Sequence, residues 1–342
     1  MKTYTLKIVA IKKETDDTIT ISFKQPALKK IKYIAGEYIT LILKINGRRY
    51  IRPYSFSSTT NVDTHLEITV KRVPNGIVSN YINDYLKIDD VVEVMPPMGN
   101  FVLPENHNHE SVFLWGAGSG ITPLISIAKY ILYLKSYTKV NLIYGNKNLN
   151  TTIFYDLIEQ LGLDFPERFK VWHFHSELTQ NENTGIIKGR VNPELIIDKF
   201  TKNELSNGLH FICGPSGLKK SVKEFLKILQ INENQILSED FELIKSPEDF
   251  KEIEDRNIRI RFQNTEHNIE VPKGKSILEA ALDNEIELPY SCQTGSCSTC
   301  KAILQSGEVK MIGLTENRED LHNNEYLLCC SHPLNNEVYL EI

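Results

Sequence analysis

No apolar run in this 342-residue chain approaches the roughly 20 residues that a membrane-spanning helix needs, which argues against an integral membrane protein. A charged-then-apolar secretory leader is also missing, so the expectation is a reducing, cytoplasmic setting. There is no internal repeat and no low-complexity tract, which removes solenoid and scaffold-like readings. Positive charge is in slight deficit, with a net charge of −5. The deficit is local: residues 257–342 hold 7 Lys/Arg against 13 Asp/Glu, while the rest of the chain is near balance. Such a surface disfavours nucleic acid and suits a basic patch on a protein partner, although a merely solvated acidic face would look the same. Cysteine is scarce too. Of six cysteines only Cys213 lies outside residues 292–330. A disulfide framework does not explain the other five, because adjacent Cys329 and Cys330 would bond only with strain.

Three of the five sit in Pro289-Tyr-Ser-Cys-Gln-Thr-Gly-Ser-Cys-Ser-Thr-Cys300, with the spacing C-x4-C-x2-C. A zinc site prefers two short pairs, and the x4 arm fits it poorly. The pattern resembles the plant-type [2Fe–2S] ferredoxin, in which four thiolates hold two irons. Small residues at Gly295, Ser296, Ser298 and Thr299 let a loop bring its N–H groups close to such a cluster. Cys292, Cys297 and Cys300 are then ligands. For the fourth, the family's Leu-x-Cys-x-x-x-Pro ending, read back from Pro333 in Leu327-Leu-Cys-Cys-Ser-His-Pro333, selects Cys329. Counting forward from Cys300 with the usual spacing selects Cys330. The proline-anchored choice, Cys329, is preferred, since a turn proline tracks local geometry better than loop length.

A chain of this length calls for two or three domains. Residues 1–103 alternate apolar and polar positions at Thr3–Ala10, Thr18–Lys24, Tyr38–Leu43, His65–Arg72 and Val91–Met95, with one short helix at Ile77–Tyr85. Gly47, Asn75-Gly76 and Pro96-Pro97-Met98-Gly99 mark turns between them. The expectation is a small antiparallel β-barrel. Residues 104–241 switch to alternating strands and helices: Ser111–Trp115, Ile121–Leu134, Val140–Tyr144, Phe154–Leu161, Phe169–His175, Leu195–Phe200, Leu209–Cys213 and Leu218–Leu229. That is the pattern of a doubly wound α/β parallel sheet. The charged stretch from Glu242 reads as a linker over 242–256. Residues 257–342 open with strands at Ile258–Phe262 and Asn268–Val271 and a helix at Ser276–Asn284, and the ferredoxin resemblance implies an α+β domain of the β-grasp type.

Arg52-Pro-Tyr-Ser-Phe-Ser-Ser58 resembles the R-x-Y-S-x-x-S motif of the ferredoxin–NADP⁺ reductase superfamily. The resemblance implies that Arg52 meets flavin phosphates, Tyr54 packs on the isoalloxazine and Ser55 approaches its N5. A guanidinium suits a diphosphate and an aromatic face suits a flat ring. Val70-Lys-Arg-Val-Pro-Asn-Gly-Ile-Val-Ser-Asn80 is similar to the same family's pyrophosphate element, which implicates Lys71, Gly76, Val78 and Ser79 and points to FAD. The glycine-rich G-x-G-G-S element of the FMN-binding branch is absent. Gly116-Ala-Gly-Ser-Gly-Ile-Thr-Pro123 follows a strand and opens a helix; its spacing is not the dinucleotide G-x-G-x-x-G but resembles the superfamily's nicotinamide loop. Gly116, Gly118, Gly120, Thr122 and Pro123 are the implied contacts. Phe211-Ile-Cys-Gly-Pro215 matches the C-G-P turn, placing Cys213, Gly214 and Pro215 beside the nicotinamide. In Ser238-Glu-Asp-Phe241, Glu239 and Phe241 take positions near the flavin. Arg190 fits a Gly-Arg-[IV]-Asp motif in which Asn192 replaces the Asp, and Ser176 follows the third strand. NADPH-using relatives commonly carry Ser-Arg there; here Ser176-Glu177 favours NADH, although Lys147 could compensate.

The order flavin barrel, nucleotide domain, ferredoxin resembles reductase components of bacterial oxygenases, of the phenylacetyl-CoA epoxidase reductase type. This implies an enzyme passing hydride from NAD(P)H to FAD, with Ser55, Cys213 and Glu239 shaping the reacting site, then single electrons through the cluster to an acceptor protein such as an oxygenase. A reductase feeding a desaturase, hydroxylase or carrier is the nearest alternative. A redox carrier or sensor with a decayed nicotinamide site is the other, and the intact Gly116–Pro123 and Cys213–Pro215 motifs speak against it.

Overall fold

The structure, a computed structural model, describes residues 2–26, 30–104, 108–135, 137–178, 185–314 and 318–342. It divides into two compact units, Met1–Glu239 and Asp240–Ile342.

The first unit begins with strands β1 (Tyr4–Thr15), β2 (Thr18–Phe23), β3 (Tyr38–Ile45), β4 (Arg48–Ser55) and β5 (Leu66–Lys71), then helix α1 (Ile77–Tyr85) and β6 (Val91–Val94). The sheet order is β4-β3-β6-β1-β2-β5, and the bridge Phe56↔Ile68 joins its two ends into a barrel. Alternation along β1, β2 and β5 turns Leu6, Ile8, Ile21, Phe23, Leu66 and Ile68 inward, where they are fully buried. Strand β4 carries no clean alternation in Arg48-Arg49-Tyr50. It is a strand because it pairs with β3 along its whole length, from Ile45↔Arg48 to Tyr38↔Ser55.

The chain continues with β7 (Ser111–Ala117), α2 (Ile121–Leu134), β8 (Lys139–Asn146), α3 (Tyr155–Asp164), β9 (Phe169–His175), β10 (Ile187–Lys188), α4 (Lys202–Ser206), β11 (Leu209–Cys213), α5 (Ser216–Ile228) and β12 (Ile236–Glu239). All pairs are parallel, in the order β10-β9-β8-β7-β11-β12. Both faces are covered. Val112 and Leu114 of β7 join a core with α2 and α3, while Phe113 and Trp115 join another with α5. Where Leu195–Phe200 is expected to continue the alternation, the chain forms two short 3-10 turns, Pro193–Leu195 and Ile197–Lys199, and Glu239 ends the last strand. The barrel is bolted to α2 by buried polar groups. Thr59 Oγ1 donates to the Ser126 carbonyl at 2.7 Å, Ser126 Oγ to the Ser58 carbonyl at 2.6 Å, and Lys129 pairs with Asp63 at 2.6 Å. Each donor has its acceptor, so their burial leaves nothing unsatisfied.

The second unit holds β13 (Arg256–Phe262), β14 (Thr265–Val271), α6 (Ile277–Asp283), β15 (Lys301–Ser306), β16 (Val309–Met311), β17 (Glu325–Leu327), β18 (Ser331–Pro333) and β19 (Tyr339–Glu341). Its mixed sheet runs β14-β13-β19-β15-β17, with β13 and β19 parallel, and α6 packs on it. Ser276 and Glu279 close a capping box that starts α6. Upstream of β13, the Ile244 N–H donates to the Gly313 carbonyl at 3.2 Å, Phe250 meets His332 edge to face and Ile253 is buried. The charged residues of this segment face outward, and a few apolar ones tether it to the ferredoxin sheet.

Candidate functional site

The residues singled out by the sequence gather at two places. At the carboxyl edge of the parallel sheet, strand register sets Gly116 of β7, Cys213 of β11 and Glu239 of β12 in one row. Strand order reverses between β7 and β11, which is where open parallel sheets bind ligands. From the end of β4, 184 residues away in sequence, the Ser55 hydroxyl donates to Glu239 Oε2 at 3.3 Å. Cys213 is wholly buried; burial pushes its thiol well above the ordinary value, and Glu239 pushes it further. Burial of this kind favours the neutral thiol, a small apolar group.

The glycine loop rides directly over β11. A Cβ at Gly120 would stand 2.2 Å from the Cys213 carbonyl oxygen, and one at Gly116 would stand 2.8 Å from Leu124 Cδ1. Gly118 takes a left-handed φ of 54°, and the Tyr144 hydroxyl holds its carbonyl at 3.0 Å. Thr122 Oγ1 donates to the Ser119 carbonyl at 3.0 Å, and Pro123 sits in the first turn of α2, where no intrahelical N–H bond is lost. No side chain caps α2; the Ile121 N–H donates to the Gly118 and Ser119 carbonyls, and the positive end of the helix dipole faces the glycine loop. Gly214 and Pro215 turn the chain from β11 into α5. Ser176 and Arg190 are exposed at neighbouring strand ends, where the Ser176 N–H donates to the Asn146 carbonyl and the Gly189 N–H to that of His175. The Glu177 N–H donates to the Lys147 carbonyl at 2.7 Å, which brings an acidic and a basic residue to the same edge.

On the barrel, Arg52 and Tyr54 stand two apart on β4 and so share a face. Arg52 Nη1 donates to the Ile51 carbonyl at 2.8 Å, and half-buried Tyr54 packs against the barrel core. Helix α1 starts after Gly76 with no side-chain cap; Val78 anchors it in the core and the Ser79 hydroxyl accepts the Val73 N–H at 3.0 Å. A guanidinium, an aromatic face and an uncapped helix start are a donor set that fits a flavin dinucleotide. The Lys71 ammonium is committed elsewhere, to Asp17 at 3.0 Å. Phe241 belongs to the second unit and is 45% exposed.

The second gathering is the cysteine loop. The N–H groups of Thr294 and Cys297 donate to Cys292 Sγ at 3.4 and 3.3 Å. Gln293 and Gly295 take positive φ, 60° and 76°, which curls the chain around that sulfur. The Lys301↔Leu327 pairing and the Leu328 N–H to Cys300 carbonyl bond at 3.0 Å carry Cys329 back beside Cys300. The thiols interact directly: Cys292 is drawn toward the thiolate by hydrogen bonds from Cys297 and Cys329, while Cys329 is pushed up by Cys292 and Cys300. Cys330 also touches Cys329, but its own Sγ turns to the Leu327 carbonyl at 3.3 Å. Crowded thiols that cannot all ionise alone fit a bound cation pair. Among the described residues no three His, Cys, Asp or Glu are set around a single metal ion, and a [2Fe–2S] cluster asks for none, since its four thiolates are divided two to each iron.

Residues 5–103 match the oxidoreductase FAD-binding domain, 114–224 the oxidoreductase NAD-binding domain, and 260–334 the 2Fe-2S iron-sulfur cluster binding domain. The chain is an iron–sulfur flavoprotein of the ferredoxin–NADP⁺ reductase superfamily. The reductase is 27% identical over 351 residues (97% of its length and 94% of the relative's) to the ferredoxin reductase component of 3-ketosteroid-9-alpha-monooxygenase from Mycobacterium tuberculosis. It is 26% identical over 350 residues to one of the subunits of 1,2-phenylacetyl-CoA epoxidase from Escherichia coli, covering 99% and 97% of the two chains. The solved phthalate dioxygenase reductase shares its fold, with a TM-score of 0.71, 24% identity, and coverage of 99% and 98%. Its cofactors are FAD, NAD(P)H and a [2Fe–2S] cluster, and its reaction is NAD(P)H-driven electron transfer.

Some contributors have no signal in the reductase's sequence. Tyr144 reads as a core strand residue, yet its hydroxyl braces the glycine loop. Arg318 is one cation in the acidic run Glu316–Asp320, yet it grips the cysteine loop. No helix among the described residues is long and apolar enough to cross a membrane.

Proposed function

We propose that this reductase draws hydride from NADH and supplies single electrons to an oxygenase component. Supporting this, relatives along the whole chain are named as the reductase component of 3-ketosteroid-9-alpha-monooxygenase and, in Chromohalobacter salexigens, as the reductase subunit of glycine betaine monooxygenase. The observation that carries the reading is the row Gly116, Cys213, Glu239 with the Ser55 hydroxyl on Glu239. When bound, the flavin accepts hydride, and the cluster divides the electron pair into single steps. The chain's own work is alignment. Arg52 and the start of α1 at Gly76, Val78 and Ser79 hold the flavin phosphates, and Tyr54 covers the ring. Gly116, Gly118, Gly120, Thr122 and Pro123 seat the nicotinamide nucleotide on α2, and Gly214 and Pro215 turn away to leave it room. Neutral Cys213 walls off water, while Ser55 and Glu239 hold a polar contact where the hydride arrives.

Ser176 and Arg190 border the adenosine end. Glu177 at that edge repels a 2′-phosphate and accepts ribose hydroxyls, hence NADH. Cys292, Cys297, Cys300 and Cys329 ligate the cluster. The acidic surface of residues 257–342 meets a basic face on the acceptor, in the cytoplasm.

Anaerobic absorbance with NADH and then NADPH tests this. The expected result is flavin bleaching followed by loss of the iron–sulfur bands, more efficiently with NADH. An oxidised flavin after excess of both nucleotides would sink the reductase reading and favour a carrier or sensor.

A further inference from the structure

Arg318 lies outside every motif of the chain, yet its guanidinium is spent on the cysteine loop. Its side chain is only 14% exposed. Nη1 donates to the carbonyls of Gly295 and, at 3.3 Å, Cys297, and Nη2 donates to Ser298 Oγ at 2.8 Å. Asp320 holds the other edge through Nε and Nη2, both at 2.7 Å, so the fork is fixed from both sides. A trans peptide group is planar, and a carbonyl drawn one way sends the next residue's N–H the other way. Carbonyls of Gly295 and Cys297 drawn toward Arg318 therefore aim the N–H groups of Ser296 and Ser298 away from the guanidinium, in a loop whose Thr294 and Cys297 N–H groups already donate to Cys292 Sγ.

We infer that Arg318 is a positioning residue for the [2Fe–2S] cluster: it turns two amide donors of the loop onto the cluster's sulfurs and thereby raises its reduction potential. The physics is differential. A reduced cluster carries one more negative charge, so N–H dipoles and a nearby guanidinium stabilise it more than the oxidised form. Asp320 offsets much of the cation's field, which leaves the oriented amides as the larger contribution. The inference rests on Cys292, Cys297, Cys300 and Cys329 being the ligands.

The test uses the purified full chain and the variants R318Q and R318K, with iron and sulfide assays and a potentiometric titration followed by electron paramagnetic resonance. In R318Q the expected result is retained iron, shifted g values and a cluster reduction equilibrium about tenfold less favourable, or about 59 mV for one electron. R318K, which keeps the charge but loses the planar fork, is expected between R318Q and the parent. R318Q with full iron and the parent's potential and g values overturns the inference. If R318Q loses its iron, R318K decides: a lowered potential supports the role, and an unchanged one overturns it. A parent chain without iron and sulfide would defeat the ligand reading itself, and the inference with it.

Discussion

In the first unit the groups proposed to meet the hydride come from far apart: Ser55 closes a barrel strand, and Gly116, Cys213 and Glu239 lie at the ends of three strands of another sheet. In the second unit, three of the four proposed ligands, Cys292, Cys297 and Cys300, lie within one loop, and the fourth, Cys329, arrives from elsewhere. Both places are proposed to offer backbone N–H groups to an anionic redox group, but one is assembled by domain packing and the other by local curling. The difference teaches where each is fragile. The hydride site depends on close backbone approach across strands, and the cluster loop depends on its sulfurs and the few bonds that aim its amides.

The sharpest break of that comparison is to remove one sulfur. Cys292→Ser or Cys329→Ser is expected to abolish the cluster, read as loss of iron and of the iron–sulfur absorbance, with flavin content unchanged because the first unit contributes no ligand. Cys330→Ser is expected to keep the cluster; the reverse pattern for Cys329 and Cys330 would transfer the fourth ligand to Cys330.

Next comes Gly120→Ala, which attacks only the assembled site. Its Cβ would lie 2.2 Å from the Cys213 carbonyl, so loop or strand must shift. Displacement of this order slows flavin reduction by NADH on the order of 100-fold in stopped-flow absorbance, while the cluster's signal persists. A rate within a factor of two of the parent would show that the loop has slack.

The smallest effect is acid softening. His173 and His210 in the first unit, and His332 in the second, are each lowered to about 4, first by burial. Unfolded histidine titrates near roughly 6.5, so between these values the unfolded chain binds more protons. Their stabilising contribution is complete above the unfolded value and is lost as pH falls toward 4. Each such histidine contributes a slope of up to about 1.4 kcal/mol per pH unit in that window. With two against one, the first unit is expected to weaken more steeply. Both tryptophans, Trp115 and Trp172, lie in it. Denaturant midpoints read by their fluorescence for the first unit, and by loss of the iron–sulfur absorbance for the second, check this from pH 7 to pH 4, and a first-unit profile no steeper than the second's would count against it.

Much of this was legible in order and periodicity. Ile77–Tyr85 and Ile121–Leu134 are helices and Phe169–His175 a strand with the bounds that their patterns indicate. Elements whose pattern is set by partners escaped. Strand β4 is held by β3, the short β12 by β11, and residues 193–199 collapse into 3-10 turns under α5. Lys71 also pairs with Asp17 at 3.0 Å, a partner from β1–β2 that the motif does not indicate.

By itself the sequence determined the three kinds of domain, their order and the cysteine spacing, because hydrophobic period, glycine placement and ligand intervals are local properties of a chain. Tertiary structure alone decided that Ser55 meets Glu239, that Gly116, Cys213 and Glu239 share a row, that Tyr144 braces the glycine loop and that Arg318 turns the peptides of the cysteine loop. Those relations depend on strand register and on side chains reaching across the fold, and neither is written in the spacing of neighbours along the chain.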